Sequence, residues 1–253
     1  MIDAPRSLRS RLRAVAVAVA VGLVGIGVGT GLALGATRAF DRVGVTLSDA
    51  ALVVLSLVLV QGVAFGGLSW LYWRVRGERV TALFGRPDLG DVLVAVGAYG
   101  LALGGAVVGA VLITLFGLEA GRNSAATTGA EAPFVLLVLV VASFVLIGPG
   151  EEVLFRGVVQ RRLREAFGPV VAVVVAAVLF ASVHVVALSG GLGARAVTVG
   201  VLLLPSVAFG AAYEYTDNLT VPAFVHGAYD ATLFSVLYLV LRLSEAGYAP
   251  APT

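Results

Sequence analysis

Seven apolar runs, each of roughly 18 residues or more, decide the class of this chain before any single residue is weighed. They cover about 14–36, 48–72, 91–116, 134–165, 170–188, 194–213 and 219–243. Each is long enough to cross the hydrocarbon of a bilayer as a helix. None alternates apolar and polar residues as barrel strands do. With only 13% of residues charged and 59% hydrophobic, the chain lacks the polar surface of a soluble domain. The sequence therefore predicts an all-α, polytopic transmembrane helical bundle of about seven spans. The basic, apolar start is longer than the core of a signal peptide and reads as a retained helix. The chain divides into three N-terminal spans with their loops (1–133), a four-helix core (134–243) and a short tail (244–253).

Charge placement gives orientation. Every one of the 17 basic residues is arginine. They concentrate in residues 1–13 (Arg6, Arg9, Arg11, Arg13), in the loop from Arg74 to Gly90, and at Arg161, Arg162 and Arg164. In a seven-span count these segments fall on one side, so the positive-inside rule puts the N-terminus in the cytoplasm of a multi-pass cell-membrane protein. The basic pI of about 9.2 reflects this topology and not nucleic-acid binding. The absence of cysteine and lysine removes disulfides, thiolate ligands, thiol nucleophiles, Ser-Lys dyads and Schiff-base chemistry.

Against that apolar background the polar groups at membrane depth are few: Glu151, Glu152, Arg156, His184, His226 and Asp230. Ionised groups in a span are costly and by default mark function. Glu152 and Arg156 are four apart and share a helix face, so they can pair. Glu151 points about 100° away from Glu152, free to meet another helix. Pro149 removes a backbone donor and disturbs the turn before the glutamates. Counted at about 1.5 Å per residue from the turn near Phe167, Glu151 and His184 sit at matching depth. His226 matches only if its own hairpin sits deeper. His226 and Asp230 share a face.

A carboxylate beside an imidazole can activate water, and a second imidazole can hold an oxyanion, so the set suits hydrolysis. Glu151, His184 and His226 are also metal-ligand types, and the residues leave open whether a divalent metal such as zinc or the carboxylate–imidazole pair alone activates the water. Each group also has a structural reading, as an interhelical ion pair or bridging histidine. It is their joint occurrence that argues for a site.

Three short motifs carry a resemblance: Glu151-Glu152-Val153-Leu154-Phe155-Arg156, then Phe180-Ala181-Ser182-Val183-His184, then His226-Gly227-Ala228-Tyr229-Asp230. In this order and spacing they resemble the CPBP family, which joins the type II CAAX prenyl endopeptidases with bacteriocin-processing and self-immunity (Abi) proteins. The resemblance covers about residues 145–235. It implies an intramembrane endopeptidase acting on a hydrophobic or lipidated, CAAX-like peptide that enters laterally or from the cytoplasm. It further implies that Glu151 and His184 activate water, that Glu152 and Arg156 support Glu151, and that His226 and Asp230 hold the oxyanion or orient substrate. Asp230 stands where the prenyl proteases carry Asn, and an ionised Asp cannot donate to an oxyanion. The alternatives are a non-catalytic immunity or scaffold protein and a proton-coupled transporter, though the repeated halves of a transporter are missing. Serine and aspartyl intramembrane-protease patterns fit worse: Ser182, Ser189 and Ser206 do not stand in a Gly-x-Ser setting, and Asp88-Leu89-Gly90-Asp91, with Asp88 where the first glycine belongs, lies in an arginine-rich loop.

Overall fold

The computed structural model describes residues 7–248. Seven helices are long and apolar enough to cross a membrane: α1 (Leu8–Arg42), α2 (Asp49–Val75), α3 (Leu89–Phe116), α5 (Phe134–Arg164), α6 (Pro169–Ala187), α7 (Leu192–Thr216) and α8 (Thr220–Glu245). The expected spans are all present. One difference is that the connection expected as loop from 121 to 133 contains a short helix, α4 (Ser124–Glu131). Its start is capped by Asn123, whose side chain accepts from the Ala126 amide, a signal that the small polar residues around it masked. Arg6 and the end of the polar tail lie outside the described residues.

Long helices form here because lipid offers no partners to backbone groups, so every span must bond internally. Ser7, Ser48 and Asp88 accept from the amides of Ser10, Ala51 and Asp91 and so start α1, α2 and α3. Many large apolar side chains stay exposed, among them Leu23, Val96, Leu101 and Val107. In water such a surface would aggregate. Around a bundle it is the lipid-facing belt.

Helix α5 is the centre of the bundle. Half of its most apolar window is buried, against 17–39% for the other spans. On one side α1, α2 and α6 pack on it through Ala18, Phe65, Leu154, Phe155, Ala176 and Phe180. On another, α8 closes on it, and α3 and α7 in turn pack on α8 through Ala98, Ala102, Phe209 and Val225. The α5–α8 approach is close. A Cβ on Gly148 would stand 3.0 Å from the Gly227 amide nitrogen, and one on Gly227 would stand 2.7 Å from the Ser143 carbonyl. Small residues at such crossings let two backbones touch where the hydrophobic effect cannot drive them together.

The two ends of the bundle are built differently. At the end that holds Arg9, Arg74, Arg79 and Arg161, the α2–α3 connection folds back as a 3-10 turn (Val80–Leu83) against the α7–α8 turn. Asn218 locks it, accepting from the Gly85 amide at 2.9 Å and donating to Asp91 at 2.8 Å. Ion pairs Arg76–Glu165 (2.7 Å), Arg164–Glu214 (2.8 Å) and Arg161–Asp217 (3.3 Å) tie the helix ends together. At the other end a two-residue antiparallel ladder joins Arg122–Asn123 to Leu188–Ser189. Among the described residues, the arginines towards that end are Arg38, Arg42, Arg122, Arg195 and Arg242.

Candidate active site

Three stretches of widened, π-type helix mark where the site is made. One is Val58–Gly66 in α2; the others, Ser143–Ile147 and Phe155–Gln160, bracket the two glutamates in α5. Each inserts extra backbone into a helical turn, and such turns recur at functional positions. The first of the α5 pair falls just before Pro149, whose missing N–H and ring the widened turn accommodates. Irregular backbone of this kind is tolerated at membrane depth only when buried in protein, and here it is.

The structure brings the six candidate residues, Glu151, Glu152, Arg156, His184, His226 and Asp230, together. Glu152 and Arg156 lie at the bottom, both fully buried, with Arg156 Nε 3.1 Å from Glu152 Oε2. The contact is ionic but off-line for a hydrogen bond. The guanidinium also donates to the Ser206 carbonyl (2.7 Å) and hydroxyl (3.0 Å) on α7, and lies over the ring of Phe180. Removing two charges from water this thoroughly is favourable only when each is held by further hydrogen bonds. Glu152 spends its other oxygen on His226, whose Nδ1 is 2.8 Å from Oε1. With its ring stacked on Phe209, His226 is held in one orientation. The second hairpin does therefore sit deep enough for His226 to reach α5, which chain counting left open.

One layer above, Glu151 faces three helices. Its Oε2 lies 3.7 Å from His184 Nε2 and 3.8 Å from His226 Nε2. Its Oε1 accepts a hydrogen bond from Gln61 Nε2 at 2.8 Å. Asp230 Oδ2 is 3.5 Å from His226 Nε2, so this carboxylate attends the imidazole. Hydrogen-bond partners fix the tautomers. His184 Nδ1 is 2.8 Å from the Phe180 carbonyl, which can only accept, so Nδ1 carries the proton and a neutral ring turns a lone pair at Nε2 towards Glu151. Glu151 Oε2 is itself buried with no hydrogen-bond partner. Two acceptors facing each other across 3.7 Å, at the wall of a cavity, make a place for a molecule with two protons to give.

Gln61 is the site residue the sequence reading missed. It sits on α2, far from every motif, and is buried. A glutamine inside an apolar span was the available signal, since polar side chains there seldom lack a partner. Ser206, weighed in the sequence only as a nucleophile, instead accepts from Arg156, and Gln160, which the motifs do not include, donates to the Gly210 carbonyl at 2.9 Å. All three are uncharged and so stand out less in an apolar span than a carboxylate or a guanidinium.

The residues open onto a cavity of about 620 Å³ that carries Glu151, His184, His226 and Asp230 on its wall. Ligand atoms around a tetrahedral zinc stand about 3.3 Å apart when its bonds are near 2.0 Å. The carboxylate–imidazole separations are wider, and among the described residues no three such side chains are grouped to hold a metal ion.

Residues 133–232 match a family model, type II CAAX prenyl endopeptidase Rce1-like. This stretch is Rce1-like. The match runs from the start of α5 through Asp230 and so contains all three motifs of the resemblance. Comparisons with curated proteins and with solved structures gave no match. The matched family is one of membrane-embedded proteases of the CAAX type, and the seven apolar spans support a multi-pass membrane protein. Gln61 lies outside the Rce1-like core.

Proposed function

We propose that this protein is an intramembrane endopeptidase in which Glu151 and His184 activate a water molecule to cleave a peptide bond in a hydrophobic or lipidated substrate. The observation that carries this reading is the unpartnered Glu151 Oε2, with His184 Nε2 3.7 Å from it on the wall of the cavity. A water seated between them gives one hydrogen to each. Glu151 takes its proton as the oxygen attacks the scissile carbonyl, a step within the ordinary range of carboxylate general bases. The C–O bond forms and the carbonyl becomes an oxyanion. His226, doubly protonated between the Glu152 and Asp230 carboxylates, donates to that oxyanion from Nε2. Collapse breaks the C–N bond. The proton held by Glu151 passes to the leaving nitrogen, which departs as an amine, and the acyl fragment's remaining hydroxyl proton passes through His184 to that amine, leaving a carboxylate and an ammonium group.

In this scheme Glu152 and Arg156 never touch substrate. They hold His226 by its Nδ1 and keep its donor edge towards the cavity. Asp230, 3.5 Å from His226 Nε2, orients the imidazole and has no need to donate to the oxyanion itself. No step calls on a metal.

The test is cleavage of a hydrophobic and prenylated peptide library by purified protein. Glu151→Gln and His184→Ala are expected to abolish turnover while insertion into membranes and detergent stability stay near wild type. Full cleavage by both variants overturns the proposal.

A further inference from the structure

Three helix ends stand together at the arginine-rich end of the bundle: the first turns of α1 and the last turns of α2 and α5. Between them run grooves of about 560 and 780 Å³ that share Arg13, Arg162 and Glu165 on their walls. Arg76 lines the first and Arg9 the second. The grooves therefore form one trough with the guanidinium groups of Arg9, Arg13, Arg76 and Arg162 and the carboxylate of Glu165.

That carboxylate is already occupied. Glu165 pairs with Arg76 at 2.7 Å through one oxygen and with Arg162 through the other. A guanidinium has five N–H donors, and Glu165 takes one from each. Arg9 and Arg13 are exposed, and among the described residues neither pairs with a carboxylate. They stand four apart on α1, so they share a face and repel each other. The trough is left with a surplus of positive charge.

Its apolar wall points to the kind of anion. The first groove continues down the α1–α2 seam between Val17, Leu68 and Leu71. At its edge Leu71 is 50% and Val75 79% exposed, as suits side chains that face hydrocarbon. Tyr72 lies on the same wall with its ring edge-on to Trp73, and such aromatic side chains gather at the level of lipid headgroups. A ligand that fits has an anionic head with several acceptor oxygens and an apolar chain below it. A phosphodiester meets the guanidinium fork with two oxygens at once.

We propose that this trough binds an acidic phospholipid, its phosphate among Arg9, Arg13 and Arg162 and an acyl chain along Val17, Leu68 and Leu71. A zwitterionic lipid offers the same phosphate but brings a cation into a surplus of arginines, so net negative charge is what the site favours. The trough is the same whichever way the bundle crosses the membrane. Neither Glu151 nor either histidine lines it, so the bound lipid ties α1 to α2 and α5 and takes no part in hydrolysis.

The test uses the full chain, purified in neutral detergent and titrated with phosphatidylglycerol, phosphatidylcholine or inorganic phosphate. Melting temperature and bound masses in native mass spectrometry are the readouts. Phosphatidylglycerol is expected to raise Tm and to remain as discrete adducts; phosphatidylcholine and inorganic phosphate are expected to do neither. Arg9→Gln with Arg13→Gln breaks no ion pair among the described residues. This double variant is expected to need about tenfold more phosphatidylglycerol for the same shift, the weakening that follows from losing two arginines at a headgroup. Arg38→Gln with Arg42→Gln takes the same charge from the other end of α1 and is expected to respond like wild type. Equal weakening in the two double variants means attraction to net charge alone and overturns the proposal. So does full binding by the Arg9, Arg13 double variant, a wild type that phosphatidylglycerol does not shift, or an equal response to phosphatidylcholine. A full response to inorganic phosphate overturns the lipid as occupant.

Discussion

Gln61 holds one oxygen of Glu151 at 2.8 Å while its own carbonyl oxygen finds no partner. Such a residue fixes a carboxylate by donating to it. On the proposed mechanism Gln61→Met keeps the volume but loses the donor, and kcat is expected to fall about tenfold or more with KM little changed, the effect of losing one hydrogen bond to a charged group. Steady-state kinetics on a single peptide separates the two parameters. Arg156 poses a different case. It is the countercharge that makes a buried Glu152 tolerable, so Arg156→Met strands a carboxylate and is expected to cost about 3 kcal/mol of stability or more. The double variant Glu152→Gln with Arg156→Met is expected to recover much of that loss in detergent melting, while leaving His226 without its anchor and activity low.

At the scale of elements, the site depends on how closely α2 approaches α5. A Cβ on Gly150 would stand 2.8 Å from both the Cβ and the carbonyl oxygen of Gln61. Backbone cannot yield to it as a side-chain tip can, so Gly150→Ala is expected to push α2 outward and withdraw Gln61 from Glu151. Activity and melting temperature should both drop. Gly27→Ala on α1 is the matched control, since nothing lies within 4 Å of its Cβ. There the helix-forming advantage of alanine, up to about 1 kcal/mol, is expected to leave stability unchanged or higher. Equal losses in the two variants would mean that the α2–α5 contact is not what the glycine protects.

For the molecule as a whole, the arginine-rich end is a single assembly made of three chain segments. Asn218 accepts from Gly85 and Thr220 and donates to Asp91. Asn218→Ala is expected to destabilise the bundle by about 1 kcal/mol, because the amides of Gly85 and Thr220 lose their acceptor and Asp91 its donor. KM should be little altered, since none of these residues lines the cavity. Arg76→Gln removes a half-exposed pair with Glu165, and such pairs are worth at most about 1 kcal/mol.

Sequence alone determined the class, the seven spans and the arginine asymmetry. Span length and hydropathy are set residue by residue against the thickness of a bilayer, and no tertiary contact is needed to read them. It also picked out Glu151, Glu152, Arg156, His184, His226 and Asp230, because a charge or imidazole in an apolar run stands out by its desolvation cost. Only the tertiary structure decided which of these meet. Chain counting could match Glu151 with His184, since one tight turn joins their helices, but it could not set the depth of the α7–α8 hairpin that carries His226. Gln61 gave a weaker signal, because a neutral amide costs less to bury than a charge, and its role exists only because Gly150 at the α2–α5 crossing lets two backbones come within touching distance.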